Sequence, residues 1–287
     1  MSSFLQNYQR QPKLFIDLPS NGKFYDDTII KDGQFVQIPV FGMNAMDEIM
    51  FKTPDALFSG EATAEVIRSC IPTILDPWKL VGYDIDYILI ALRIATYGNN
   101  MPVSTVCPKC AESSNSEIGL GKLLDGFTSY ETDYDFQIDN LVFNLKPITY
   151  RLTTDFSVEK YLLDRELYQV ENLDIDRDEK NKKMQDIYVR ASKLNMRLAI
   201  AHVKSVSDEE NQETNLEAIT EFIVNNDAVF FDRLRTGIQE LTSKWNIPQF
   251  NITCSGEECH HQYMSALTVD YSNFFGARSL ISRNLVL

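Results

Sequence analysis

The sequence predicts an α+β fold, with a small β-rich segment at the amino end, helical bundle regions, and a strand-rich region that an insertion splits in two. Three observations indicate this class. Apolar and polar residues alternate over parts of 1–43, apolar residues recur every three or four positions in 44–100 and 151–243, and strand-like sequence surrounds two cysteine pairs in 101–150 and 244–287. We therefore predict that 101–150 and 244–287 form one region, with 151–243 as a helical insertion between them.

The amino-terminal region is predicted to form strands joined by turns. In "KLFIDLPSNGKFY", an apolar run ends at Pro19 and is followed by Asn21-Gly22, a pair that accepts the positive φ angles of a tight hairpin turn. The segment "QFVQIPVF" (34–41) then alternates as a strand. Because Pro39 lacks a backbone N–H, this strand is predicted to lie at a sheet edge or to end there.

The region after it is predicted to be helical, and its last helix has the strongest signals. Asn44 can cap a short helix at the start of the region. Asp84 is a candidate cap for the last helix. The apolar stripe of that helix contains Ile85, Ile88, Leu89, Leu92 and Ala95. Gly98 then supplies the left-handed residue that commonly ends a helix.

The insertion contains two segments with helical spacing, "SVEKYLLDRELYQV" and "MQDIYVRASKLNMRLAIAHV". Between them, "DIDRDEKNKK" (174–183) is polar on all sides, and we predict a solvated loop or turn there. Further along, "TNLE" (214–217) matches a capping box, in which the Thr214 hydroxyl accepts a backbone N–H and the Glu217 side chain reaches back to the cap. This pattern predicts another helix, with Thr214 as its cap.

Composition limits the partners that this chain can bind. The 287 residues include 27 Lys+Arg and 41 Asp+Glu, which gives a net charge of -14. Nucleic acids and anionic membranes are disfavoured as partners, because binding either one needs cationic side chains to neutralise phosphate. No run approaches the roughly 20 apolar residues of a membrane span, and the first residues lack the order of a secretion signal. Five cysteines do not indicate a disulfide scaffold, so we expect a reducing cytoplasm.

Four of the cysteines form two pairs with the spacing of metal-binding knuckles. Cys107 and Cys110 stand in "TVCPKC", and Cys254 and Cys259 stand in "ITCSGEECHHQY", after an insertion of 143 residues (254 − 110 − 1). A Cys-x2-Cys turn aims two thiolates at one point, and a zinc ion takes four such ligands in a tetrahedron. The spacing predicts one structural zinc ion bound by all four thiolates, in a split arrangement similar to a zinc ribbon.

Other interpretations of the cysteines remain. A single Cys-x2-Cys is also the pattern of a redox dithiol, although such pairs usually open a helix and the Ser- and Asn-rich "AESSNSE" follows here. Isolated thiols or a disulfide are further alternatives, and His260 or His261 can replace Cys259, which has the wider spacing, as the fourth ligand. Four protein ligands leave no open position for water or substrate, so a zinc site of this kind predicts stability and no catalysis.

No catalytic pattern stands out. Three histidines, two of them adjacent, offer little material for a catalytic dyad, and "GLGK" (119–122) lacks the leading glycine and the Ser/Thr of a phosphate loop. We therefore do not expect an enzyme. Aromatic residues are frequent instead, with 17 Phe and 13 Tyr. Because exposed aromatic side chains suit protein–protein contacts, Phe274 and Phe275 are candidate partner-binding residues, with packing in the core as the alternative.

Several segments, taken in order, resemble one family. They are "LPSNGKFY" near the amino end, "YDIDYILIALRIATYG" running into "VCPKC", and the late cysteine pair followed by "NFF". This combination resembles the baseplate hub proteins of T4-like contractile-tailed phages. The resemblance is best from the amino end through the first cysteine pair, and over 150–250 it is only a general helical similarity.

The resemblance implies a non-enzymatic structural or assembly protein that acts in the host cytoplasm and is either retained in the virion baseplate or released. It implies Cys107, Cys110, Cys254 and Cys259 as metal ligands, and other hub or wedge proteins of the baseplate as partners. Three alternatives remain: a chaperone of hub assembly that is absent from the mature virion, a zinc-dependent nucleic-acid-binding module, which the negative charge disfavours, and a hydrolase of the host envelope, for which no acid/base pair stands out.

Overall fold

The chain is described here by a computed structural model, which covers residues 9–129, 134–256, 259–267 and 274–275. It divides into two compact units: unit 1 comprises 1–130 and 246–287, and unit 2 comprises 131–245. Both units contain helices and small antiparallel sheets, so the predicted α+β class is confirmed.

The α-helices of the described residues are α1 (Ala45–Met50), α2 (Pro54–Phe58), α3 (Glu61–Cys70), α4 (Gly82–Tyr97), α5 (Leu120–Asp125), α6 (Tyr150–Glu171), α7 (Arg177–Ala201), α8 (Leu216–Val224) and α9 (Ala228–Ser243). The strands are β1 (Pro12–Ile16), β2 (Ile38–Phe41), β3 (Asn100–Val106), β4 (Ser113–Gly119), β5 (Tyr134–Ile138), β6 (Leu141–Leu145), β7 (Val203–Ser207), β8 (Gln212–Glu213), β9 (Phe250–Thr253) and β10 (Gln262–Ser265). Short 3-10 turns at Lys31–Gly33 and Pro77–Lys79 connect elements of unit 1.

Unit 1 begins with a two-stranded antiparallel sheet of β1 and β2, in which Pro39 lies on an edge strand as predicted. Between the strands, Asn21 (φ 50°) and Gly22 (φ 72°) have the expected positive φ angles. This turn does not join neighbouring strands, however, because the chain makes a longer excursion before β2. Phe35 folds back over Gly22, where an added Cβ would lie 2.2 Å from its ring, so glycine is required there.

The core of unit 1 surrounds α4, which is buried along most of its length and ends at Gly98 as predicted. The helix begins at Gly82, so the prediction of Asp84 as its cap is wrong. Asp84 is instead buried in the first turn, where its carboxylate accepts hydrogen bonds from the Tyr25 hydroxyl (2.5 Å) and the Ser20 backbone N–H (3.1 Å). Burial raises the pKa of Asp84 to about 6, although these hydrogen bonds lower it.

Unit 2 is built on a four-stranded antiparallel sheet of order β5-β6-β7-β8. Strands β5 and β6 were predicted to lie in one region with the cysteine-bearing strands, but β6 pairs with β7, from Val142 opposite Ser207 to Leu145 opposite Val203. Helix α9 contacts β5, and α8 contacts β7. The buried core that these elements share includes Ile138, Phe143, Leu145, Val206, Ile219, Ile223, Leu234 and Leu241.

Helices α6 and α7 form a hairpin with a small core of its own. Its ion pairs, Glu159 with Arg197 and Glu166 with Arg190 (2.6 Å), have the order of an antiparallel pair. The buried residues between the helices are Leu163, Val170, Ile187 and Leu194. Neither these two helices nor any other among the described residues combines the length and the apolar character needed to span a membrane.

The polar segment 174–183 differs from its prediction, because α7 begins within it at Arg177. The Asp176 side chain caps the helix by accepting the Asp178 N–H (3.0 Å). An ion pair between Glu179 and Lys183 (3.4 Å) follows on the exposed first turns. Capping and charge pairs of this kind support the first turns of α7, which have no apolar face.

Candidate metal centre

The first cysteine pair lies in the turn between β3 and β4, which pair along their full length. The Cys107 N–H donates to the Glu112 carbonyl (2.9 Å), and the Ala111 N–H donates to the Cys107 carbonyl (2.9 Å). Ala111 has a φ of 58°, in the left-handed region, which reverses the chain sharply. The turn therefore brings Cys107 and Cys110 to the same end of this hairpin.

The second pair lies in the turn between β9 and β10. The Cys254 N–H donates to the His261 carbonyl (2.9 Å), and His260, just before that acceptor, has a φ of 42°. The Cys259 N–H donates to the Gly256 carbonyl (3.1 Å). This turn, too, brings its two cysteines to one end of a hairpin.

The two turns share one backbone pattern. In each, the first cysteine donates its N–H across the turn, and the residue before the acceptor has a positive φ: Ala111 in the first turn and His260 in the second. Cys259 therefore occupies the place that Cys110 occupies in the first turn. The wider Cys-x4-Cys spacing is the Cys-x2-Cys turn with two more residues before its second cysteine.

The four sulfurs converge. The Sγ atoms of Cys107, Cys110, Cys254 and Cys259 all lie within 4.8 Å of one another. The Cys110–Cys254 Sγ distance is 3.6 Å and the Cys107–Cys259 Sγ distance is 3.9 Å. Cys107 and Cys254 are buried, Cys259 is half-buried and Cys110 is exposed. All four are free thiols, and their arrangement can hold a metal ion.

Charge limits how many of these thiols can ionise without a cation. Burial raises the pKa of the Cys107 thiol, but hydrogen bonds from the backbone N–H groups of Cys110 and Lys109 and from the Cys110 and Cys254 thiols together lower it to about 7. For Cys110, the Glu112 backbone N–H lowers the pKa, whereas burial and hydrogen bonds with the neighbouring thiols raise it to about 12. Adjacent negative sulfurs repel each other, and a dication at the centre would offset that repulsion.

Two supporting contacts and one close approach surround the sulfurs. The Gly256 N–H points at Cys254 Sγ (3.4 Å), and a Cβ at Gly256 would lie 2.5 Å from Glu112 Oε2. The Thr105 and Tyr263 hydroxyl oxygens, 2.6 Å apart, join the two hairpins. The sequence shows Gly256 as a turn residue between the second pair of cysteines. The Thr105–Tyr263 hydrogen bond joins residues 158 positions apart, and no local sequence pattern predicts it.

The two histidines that were alternatives to Cys259 lie elsewhere. Within the described part of the chain, neither His260 nor His261 belongs to the sulfur cluster. The His261 ring stacks on Tyr263, with ring centroids 6.2 Å apart, and its carbonyl accepts the Cys254 N–H. Cys259, and not a histidine, therefore stands with the other three sulfurs.

The two phenylalanines that were candidates for partner binding are covered by the chain itself. Phe274 is 1% exposed and Phe275 is 4% exposed. The Phe275 ring stacks on Phe51 with centroids 4.3 Å apart, and Phe274 meets Phe275 edge to face at 5.0 Å. Both rings pack as in the core alternative, and they offer little surface to a partner.

Comparison with known proteins gives a match to the sequence model of one family. The sequence model of a family described as T4 bacteriophage base plate protein matches residues 41–276. That range spans 236 residues (276 − 41 + 1), which is more than half of the chain, and it contains all four cysteines of the cluster. A search of curated proteins found no match, and neither did a search of solved structures.

Proposed function

The chain belongs to the T4 bacteriophage base plate protein family, and on that premise we propose that it is a non-enzymatic component of the baseplate hub. The observation that carries the proposal is the family match over residues 41–276. Family membership supports a structural or assembly role in the baseplate. The assignment to the hub is finer, and it rests on the resemblance of "LPSNGKFY" and "VCPKC" to hub proteins.

We further propose that the four cysteines hold one structural zinc ion. Thiolates about 2.3 Å from a tetrahedral zinc ion lie about 3.8 Å from one another. The two measured sulfur distances, 3.6 Å and 3.9 Å, lie on either side of this value. Four soft sulfur ligands favour zinc over magnesium or calcium, which bind oxygen. Bound zinc would supply cross-linking and no reaction, because no ligand position stays open.

The role of the metal follows from the small size of the two hairpins. Each cysteine-bearing sheet has only two strands, and an isolated two-stranded hairpin is marginally stable in water. One ion bound by Cys107, Cys110, Cys254 and Cys259 would hold both hairpins together. The mechanism is therefore that of a rigid building block, which presents fixed surfaces to other hub or wedge proteins.

We assign partner contacts first to the α6–α7 hairpin. It exposes large aromatic side chains, with Tyr168 68% and Tyr188 53% exposed. Aromatic residues of this kind are enriched at protein interfaces because they bury much area for few rotatable bonds. Replacing Tyr168 with Ala should weaken partner binding without unfolding the chain, since an exposed side chain contributes little to the core.

The experiment that tests the proposal is purification of the tagged chain from infected cells, with protein identification and metal analysis of the same sample. We expect other baseplate proteins to co-purify, with about one zinc ion per chain. Recovery of nucleic acid without baseplate proteins would contradict the hub assignment. A fully folded, metal-free wild-type chain would contradict the zinc assignment, and it would leave the baseplate assignment intact.

Mature virions separate a permanent component from a temporary one. We propose that the chain is made in the host cytoplasm and retained in the tail of the particle. Mass spectrometry of purified virions should then detect it in a constant ratio to other baseplate proteins. Its complete absence from virions, with hub proteins co-purifying from infected cells, would assign it to assembly as a chaperone instead.

A further inference from the structure

We propose that oxidation converts the four-cysteine centre into two disulfides that run between the hairpins, Cys107–Cys259 and Cys110–Cys254. The inference rests on the proposed function, because it concerns a zinc centre in a protein that leaves the reducing cytoplasm as part of a virion. Disulfides form and persist outside the cell, whereas thiols persist inside it. A link between the hairpins that persists both inside and outside the cell is exposed first to reducing and then to oxidising conditions.

The direction of the sulfur contacts carries the proposal. Two sulfur contacts join the turns, Cys110–Cys254 at 3.6 Å and Cys107–Cys259 at 3.9 Å, in a cluster whose four sulfurs all lie within 4.8 Å of one another. Each contact joins one cysteine of the first turn to one of the second, and the two contacts share no cysteine. Both can therefore become covalent bonds in the same molecule. Sequence spacing alone favours the opposite pairing, within each turn, because those cysteines are neighbours in the chain.

One cysteine of each proposed disulfide is accessible to an oxidant. Cys110 is exposed and its contact Cys254 is buried, while Cys259 is half-buried and its contact Cys107 is buried. A peroxide would reach the accessible sulfur of each pair first and form a sulfenic acid. The buried thiol of the same pair would then attack that sulfur and release water.

The reaction balances with hydrogen peroxide as the oxidant. Each disulfide forms from two thiolates, one hydrogen peroxide and two protons, with two molecules of water as the other product. The two sulfurs lose two electrons, and the peroxide accepts them. Two such reactions use all four thiolates, so no thiolate would remain to hold a metal ion.

The product keeps the mechanical link between the hairpins. A bridge within Cys107–Cys110 or within Cys254–Cys259 would leave the hairpins joined only by weaker contacts such as the Thr105–Tyr263 hydrogen bond. The two bridges between the hairpins instead replace the metal with covalent bonds at the same place. The fold of this region should therefore survive oxidative loss of zinc.

The test is disulfide mapping of the whole chain after treatment with hydrogen peroxide. Remaining thiols are blocked in denaturant at acidic pH before digestion. Trypsin cuts after Lys109, which separates Cys107 from Cys110, and a glutamate-specific protease cuts in the Glu257–Glu258 segment, which separates Cys254 from Cys259. We expect the peptides of Cys107 and Cys259, and those of Cys110 and Cys254, to be linked. Free thiols should fall from five to one (5 − 4), leaving Cys70.

Three outcomes would overturn the proposal: bridges within each turn, the other pairing between the hairpins (Cys107–Cys254 with Cys110–Cys259), or sulfinic acids with no bridge. Zinc measured before oxidation tests the proposed function separately, because the disulfide map can be read whether or not zinc was bound. In Cys110→Ser, only the Cys107–Cys259 bridge should form and Cys254 should stay free. If that variant does not fold, Cys70→Ser, which leaves the centre intact, should give the same two bridges as the wild type.

Discussion

In unit 1 the two cysteine-bearing hairpins have two strands each, whereas unit 2 has a four-stranded sheet that contacts helices α8 and α9. The hairpins meet through four sulfurs within 4.8 Å of one another. Unit 2 is held by a core of buried apolar side chains spread over many elements. With the proposed zinc ion, the first region would depend on a few ligand atoms, whereas the second depends on packing that no single contact dominates.

The two regions should therefore differ in their response to a single substitution. Removal of one ligand should abolish metal binding, because a closed site needs all four donors. Removal of one core side chain should cost only its share of the buried area and the cavity that it leaves.

Cys107→Ser should have the largest effect, and it should be confined to the cysteine-bearing hairpins. Structural zinc sites contribute apparent binding free energies of about 10–16 kcal/mol, and loss of one thiolate removes most of that. Zinc content should fall to near zero, and amide hydrogen exchange should accelerate in β3, β4, β9 and β10. Exchange in the unit 2 sheet should stay as in the wild type. Equal acceleration of amide exchange in the hairpins and in the unit 2 sheet would contradict the expectation that the effect is confined to the hairpins.

Cys70→Ser is the matched control for that experiment. Cys70 is also buried, but its sulfur lies near Asp47 (3.6 Å) and Arg10 (3.7 Å), outside the sulfur cluster. The variant should therefore keep its zinc. Loss of zinc from both variants would mean that general unfolding, and not loss of a ligand, explains the result.

Phe143→Ala should destabilise unit 2 by about 3–5 kcal/mol, because the fully buried ring leaves a cavity. The ring packs edge to face against Phe230, with centroids 5.7 Å apart. Urea unfolding followed by circular dichroism measures the loss, and zinc analysis of the folded protein should show no change. A fall in zinc content would show that the metal centre depends on this core.

Asp84→Asn should change how the stability of unit 1 depends on pH. The pKa of Asp84 is raised by burial from 3.8 to about 6, so the folded chain binds this proton more tightly than the unfolded chain. The resulting stabilisation is complete below pH 3.8 and is lost as the pH rises through 6, a change of about 3 kcal/mol for two pKa units. Urea unfolding at several pH values should show this fall in the wild type and a smaller fall in the variant, in which Asp86, whose pKa burial raises to about 7, still titrates. Identical pH profiles would contradict it.

Glu166→Gln should have the smallest effect. Its ion pair with Arg190 is short, but the side chains are 45% and 42% exposed, and exposed pairs contribute about 0–1 kcal/mol. The small loss should shrink further in high salt, which screens exposed charges. A loss as large as that of Phe143→Ala would mean that ion pairs, and not buried apolar area, hold unit 2.

The sequence predicted best what depends on local chemistry. Two cysteine pairs with knuckle spacing predicted that four sulfurs would converge, and they do. Gly98 ends its helix, and Asn44 caps α1 through its side chain. The cap of α8 was one residue off, because Asn215 and not Thr214 accepts the N–H groups of the first turn. The helix caps involve groups that are close in the chain, and the cysteine pairs have the spacing typical of metal ligands.

It predicted poorly what depends on distant residues. The prediction of Asp84 as a helix cap is wrong because its hydrogen-bond partner, Tyr25, lies 59 positions away, and the local sequence does not predict that contact. Strand β6 was grouped with the wrong neighbours for the same reason, since β7 follows it only after α6 and α7. The start of α7 was predicted as a loop because it lacks an apolar face, while the cap and ion pair that support it carry no apolar periodicity.

The separation of the two cysteine pairs in the chain also fixes the order in which they are synthesised. Cys254 leaves the ribosome 144 residues after Cys110, which takes roughly 7–30 s at about 5–20 residues per second. The whole of unit 2, 131–245, is synthesised during that interval. The early hairpin must therefore wait for its second pair of ligands while the insertion folds, so uptake of the proposed zinc ion would follow synthesis of the second hairpin.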